Sequence, residues 1–249
     1  MKALQSLAMI QKIANLAQNL KVSSPTTYNA ALPMLIKVLA QTKGDTYLLQ
    51  VGSKQIQSKS HKELFIGQKY WGEMGKSSLG HITLRNLIPQ PNILESFSKA
   101  PLQFSLQDLQ ELGEQKDIFA GFKDFLSQKL ATAQSKEEFL FLSNLLLGLK
   151  SGVLSLTITE KNEILQMKKI GANTMRFSAI MPSLGIIEGE ISITKGGNAL
   201  SLKVMYESTK ALLEKNLSLL KGFKLSKITL DSSLKPLYEF KESLLDVRG

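Results

Sequence analysis

Hydrophobic positions change period several times along the chain, and each change marks a boundary. In residues 3–20 the apolar positions Leu7, Ile10, Ala14, Ala17 and Leu20 recur at helical spacing, with Gln11, Lys12, Asn15 and Asn19 off that stripe. The spacing predicts an amphipathic helix. Ser23, Ser24, Pro25, Thr26 and Thr27 end it in loop composition. Short extended runs follow from residue 30: Leu35 to Leu39, Tyr47 to Val51, Lys54 to Gln57, a run through Tyr70 and Trp71, and His81 to Leu87. Gly52 and Ser53 form a two-residue hairpin connection, with glycine where the corner needs positive φ. Five short strands over about 60 residues predict a small closed barrel of OB-like size, punctuated by Pro89 and Pro91.

Residues 91–150 lose this alternation. Leu106, Leu109 and Leu112 make a short helical stripe after Ser105, and Ile118, Phe122, Phe125, Leu126 and Leu130 a longer one. Ser135 and Glu138 have the spacing of a capping box for a helix from Lys136 to about Leu149. From Val153 the strand pattern returns. Met175, Phe177 and Ala179 alternate with Arg176 and Ser178, and Ile187, Ile191 and Ile193 with Glu188, Glu190, Ser192 and Thr194. After Gly196, Gly197 and Asn198, the residues Leu200, Leu202, Val204 and Tyr206 alternate with Ser201 and Lys203. That predicts an antiparallel hairpin with one apolar face. A helix from Ser208 to Lys221 follows, stopped by Gly222, then a strand through Leu225, Ile228 and Leu230, and Pro236 precedes a short tail helix to Val247. The expected fold is α+β in four parts. Residues 1–29 are a helix and loop, 30–90 an OB-like β-barrel and 91–150 a helical connector. Residues 151–249 are an α+β domain whose hairpin packs on a helix.

Composition narrows the chemistry. The 249 residues are 43% hydrophobic and 21% charged, within the globular range. There is no Cys, so disulfides, thiolate metal sites and Cys nucleophiles are excluded, and with only 2 His most metal and triad chemistries are disfavoured. The net charge of +10 is uneven: residues 1–90 hold 11 basic against 3 acidic side chains. An acidic partner, nucleic acid or an anionic surface would suit that region. A general solubility role for lysine would also explain it, since Arg occurs only at Arg85, Arg176 and Arg248. No run approaches the roughly 18–20 apolar residues of a membrane helix. No secretory signal pattern opens the chain either, so a cytoplasmic location is the default expectation.

Few motifs survive inspection. Gly75, Lys76 and Ser77 resemble the end of a phosphate-binding loop, but its first glycine would fall at Tyr70. Ser218 to Lys221 fits S-x-x-K with no companion residues, and His61 and His81 stand alone. On an OB-like surface Tyr70 and Trp71 would stack bases, with Lys54, Lys62 and Lys69 tracking a backbone; buried rings would fill the barrel instead. Glu188 and Glu190, two apart, read either as a carboxylate pair or as a solvated strand face. No constellation for catalysis and no cofactor motif is present, so the chain reads as a binding protein rather than an enzyme.

From Met175 onward the order of elements resembles the C-terminal domain of flagellar hook-length control proteins. The matching residues are a P-x-L-G turn at Pro182, Leu184 and Gly185, the hairpin strands Ile187 to Ile193 and Leu200 to Tyr206, and a helix near Lys210. Gly222, Phe223, Lys224 and Leu225 lead into the last strand through Ile228 and Leu230. The family's turn is one residue longer. The resemblance implies a non-enzymatic factor of the flagellar type III export system, acting in hook-length control or the switch of export substrates. Its implied partner is the cytoplasmic domain of an export gate protein. Partner-binding residues would be Pro182, Leu184, Gly185, Glu188, Glu190 and Lys210. The N-terminal helix then suits an uncleaved export signal, or else a helix docked on its own barrel. The alternative reading is an OB-fold single-stranded nucleic-acid-binding protein.

Overall fold

A computed structural model describes residues 32–76, 82–98, 117–158, 163–194, 197–219 and 222–241. The expected helices over 3–20 and after Ser105 lie outside these residues. The fold is α+β, built on two sheets. The first contains β1 (Met34–Lys43), β2 (Thr46–Val51), β3 (Lys54–Lys59), β4 (Lys69–Lys76) and β5 (Ile82–Pro89), in the order β3-β2-β1-β4-β5 with every pair antiparallel. Gly44 and Gly52, at φ +57° and +61°, turn the two tight hairpins. The sheet is open among the described residues. β3 and β5 are its edges, so the closed barrel read from the strand count is corrected to an open five-stranded sheet. Its own core, among the described residues, is small: Ile36, Val38, Tyr47, Leu49, Val51, Leu64 and Tyr70.

Among the described residues, the helices between the sheets are α1 (Ile93–Ser98), α2 (Ile118–Ala131) and α3 (Lys136–Lys150). Asp117 caps α2 by accepting from the N–H groups of Phe119 and Ala120. Ser135 accepts from the N–H of Glu138 at 3.0 Å, and the Glu138 carboxylate reaches back to the N–H of Gln134 at 2.9 Å, one residue before the reciprocal partner a capping box uses.

The second sheet holds β6 (Val153–Ile158), β7 (Glu163–Lys169), β8 (Thr174–Met181), β9 (Gly185–Thr194), β10 (Gly197–Val204) and β11 (Lys224–Leu230), in the order β11-β10-β9-β8-β7-β6. β6 to β10 form an antiparallel meander. The chain then crosses through α4 (Glu207–Lys215) and a 3-10 turn at Leu217–Leu219, so that β11 runs parallel to β10. The helix is shorter than its leucine spacing predicts, ending at Asn216. No hairpin pattern marked β7, because Ile164, Leu165, Gln166 and Met167 are all buried and the alternation is lost.

Residues 232–241 run back across this sheet without helix, in place of the start of the tail helix expected after Pro236. Two buried amides hold them. Gln166 donates to the Ser155 hydroxyl and the Tyr238 carbonyl at 3.1 and 2.7 Å and accepts from the Tyr238 N–H. Asn144 likewise exchanges both bonds with the backbone of Lys241, at 3.0 and 2.9 Å. Each amide acts as a peptide group would in a ladder, which satisfies buried polar atoms that would otherwise be costly. Phe240 packs between Phe97 of α1 and Phe141 of α3, with ring centres 4.9 and 5.8 Å away.

Candidate functional site

Strand alternation places Tyr70 and Trp71 on opposite faces of β4. Tyr70, opposite Ile36, enters the small core of the first sheet, while Trp71, opposite Leu35, enters the large core shared with the second sheet. Both are buried, Trp71 completely. Neither ring offers a face to a base, which corrects their place in the nucleic-acid set. Of the lysines in that set, Lys54 and Lys62 are exposed, and Lys69 lies 3.9 Å from Glu95.

The Trp71 indole N–H donates to the carbonyl of Pro182 at 2.9 Å. The residues of the P-x-L-G turn are thus gathered against the first sheet. Leu184 is buried and its carbonyl accepts from the Thr209 hydroxyl at 3.0 Å, which ties the turn to α4. Gly185 has φ +78°, and a Cβ there would lie 3.1 Å from the Tyr206 ring. Both the backbone shape and the close ring select glycine. The N–H of Ile186 then donates to the Met205 sulfur at 3.2 Å.

Two more contacts join the sheets beside this turn. The Tyr206 hydroxyl donates to the Asn86 carbonyl at 3.2 Å, and the Ser208 hydroxyl donates to the Glu73 carboxylate at 2.8 Å. The other oxygen of Glu73 accepts from the Asn86 side chain at 2.7 Å. Asn86 has φ +52°, a left-handed conformation rare outside glycine, and sits where the β4–β5 register shifts. Burial, and then the negative charge of Glu73, push the Tyr206 phenol well above its ordinary pKa, so it remains a donor. These groups border a cleft of about 630 Å³ with Lys62, Glu207 and Leu230 at its walls.

The remaining predicted residues lie elsewhere. Glu188 pairs with Lys203 across β10 at 3.6 Å, and Glu190 with Arg176 across β8 at 3.6 Å, in a polar ladder on one face of the second sheet. Lys210 pairs within α4 with Glu207 and Glu214. The contacts of Trp71, Tyr206 and Ser208 span 111, 120 and 135 residues, so no local spacing announces them. Among the described residues no group of three His, Asp or Glu could hold a metal ion, and no helix is long and apolar enough to cross a membrane. Compared with known protein families, curated proteins and solved structures, the chain matches none.

Proposed function

We propose that the chain is a non-enzymatic protein-binding factor of the flagellar type III export system, of the hook-length control and substrate-switching kind. The observation that carries this reading is the run from β8 to β11. A strand, a turn with Gly185 at positive φ, an alternating hairpin, a crossover helix and a parallel last strand follow in the order on which the resemblance rests. The partner is the cytoplasmic domain of an export gate protein. The partly exposed ladder of Glu188, Glu190, Arg176 and Lys203 is the surface offered to it, while Pro182, Leu184 and Gly185 support that surface from the inter-sheet contact.

The first test is binding of a purified gate domain to wild type and to Glu188→Gln with Glu190→Gln. These neutral changes keep the strand pattern, whereas lysines would set like charges beside Arg176 and Lys203. Affinity several-fold weaker with an unchanged melting temperature supports the reading. Wild-type affinity removes this face from the interface.

The OB-like, nucleic-acid reading keeps one supporting observation. Lys37, Lys54 and Lys59 are exposed on a five-stranded antiparallel sheet of that size, and Lys62 on the loop after β3. Titration with single-stranded DNA at two salt concentrations separates it from the first reading, since backbone-driven binding weakens steeply with salt.

A further inference from the structure

The segment 234–241 crosses the second sheet without joining its ladder, and it is held in the way a bound peptide is held. Leu234 and Phe240 are buried, while Lys235, Glu239 and Lys241 are exposed. Phe240 lies against Phe97 and Phe141, two rings that meet each other edge to face at 4.9 Å. Gly148 of α3 leaves room for the Tyr238 ring, since a Cβ there would lie 3.3 Å from it.

Gln166 and Asn144 bond to the backbone of this segment and to none of its side chains. Each exchanges an N–H and a carbonyl bond with one residue, Gln166 with Tyr238 and Asn144 with Lys241. The same amide nitrogens also donate elsewhere, Gln166 to the Ser155 hydroxyl at 3.1 Å and Asn144 to the Leu140 carbonyl at 3.0 Å. Ser155 belongs to β6 and Leu140 to α3, so contacts that do not involve the segment already aim both amides into the groove. Both are buried, Gln166 completely. With no backbone opposite, each would leave a buried donor and acceptor unsatisfied, which is costly. The groove is thus preorganised for peptide groups at two places and for an aromatic ring next to the second.

We propose that this groove is a peptide-binding site, filled by the chain's own segment 234–241 and able to take instead an extended segment of another protein that carries an aromatic side chain at the place of Phe240. Two side-chain amides reading the backbone make the site tolerant of sequence, as in strand addition, and the ring pocket selects the aromatic. Charge does not select, because the charged side chains of the resident segment are exposed. The resident segment is a tethered competitor. It follows the short turn at Asp231 to Ser233, and its effective concentration is in about the millimolar range. The site goes beyond the export reading and does not depend on it.

The test is a full chain with a protease site inserted between Ser232 and Ser233, both exposed, and cut after folding. The probe is a labelled synthetic peptide of residues 232–241. It should bind the cut chain at least about tenfold more tightly than the uncut chain, because cutting removes the tether. Methylating the peptide nitrogen at Tyr238, which removes the donor to Gln166, should weaken binding about tenfold, as should alanine in place of Phe240. Alanine in place of Lys235 and Glu239 should change it less than about twofold. A random-peptide library panned on the cut chain, with the uncut chain as counter-target, should return sequences that share an aromatic position and no charged one. Equal binding to cut and uncut chains overturns the proposal, as does equal binding of the methylated peptide. A cut chain that loses its melting transition makes the segment part of the folding core, not a ligand, and overturns it as well. Light scattering that shows an uncut dimer dissociated by the peptide assigns the groove to a second copy, with the same result.

Discussion

The first sheet hides one face along most of its strands and the other only at Trp71, whereas the second, over β6 to β8, hides long stretches of both. In β2 burial alternates residue by residue, with Tyr47, Leu49 and Val51 inward and the residues between them partly exposed. In β7 four consecutive residues are buried. The first sheet's own core has seven buried residues, and its largest side chain, Trp71, is spent elsewhere, in the core of the second. A sheet with so small a private core gains most of its remaining stability by leaning on its neighbour. This difference implies one cooperative body whose weaker half depends on the stronger.

The sharpest break of that dependence is Trp71→Ala. It removes the largest shared side chain and the bond to Pro182, and should cost about 3–5 kcal/mol. Urea unfolding followed by circular dichroism should split into two transitions, the first sheet melting early. A single transition shifted by less than about 1 kcal/mol would show that the sheets are joined by something else.

Gly189→Ala tests the stronger half alone. Its Cβ would collide with the Phe177 ring and press on Leu202, so about 1–3 kcal/mol should be lost, with part returned by Phe177→Leu in the same chain. Gly72→Ala in the first sheet collides with the ends of the flexible Leu87 and Ile36 side chains, the Arg85 carbonyl lying at ordinary contact distance, and should cost less. Equal costs would erase the contrast in packing between the sheets.

At the seam, Gly185→Ala should cost about 1–3 kcal/mol because φ there is positive, and Tyr206→Phe about 1 kcal/mol for the hydroxyl bond to Asn86. Thermal melts of the two single variants and the double variant would show whether these neighbours couple. The smallest effect is expected at Asp231. The Ser233 hydroxyl and N–H, and then Lys203, hold its carboxyl below the ordinary range. The unfolded chain therefore binds that proton more readily. Its stabilisation is complete above the ordinary carboxylate pKa of about 4 and is lost as pH falls through the lower folded value. Asp231→Asn should flatten only that acidic part of a stability–pH curve.

Alternation made β8 to β10 readable, and Gly52 and the Ser135–Glu138 spacing marked a hairpin and a helix start, because each is a local matter of period or capping. β7 escaped notice because burial on both faces removes the period that identifies a strand. The missing closure between β3 and β5 is a long-range pairing that five strand patterns do not specify. The same holds at the site. Sequence parity puts Tyr70 and Trp71 on opposite faces, but which of them would meet Pro182 depends on a contact 111 residues away. Asn86 and Glu73 carried no signal at all, since a left-handed asparagine looks like any other in a strand.

The pinned tail gives the molecule a mechanical direction. Gln166 and Asn144 grip residues 238–241 through single amide pairs, which would open one after another if the chain were drawn from its C-terminal side. Among the described residues, tension from the N-terminal side reaches β1 first, the central strand of its sheet, bonded along both edges to β2 and β4. Pulled in an optical trap, the protein should yield at low force from one end and resist from the other, so any process that threads it through a narrow passage meets two different barriers according to which end enters first.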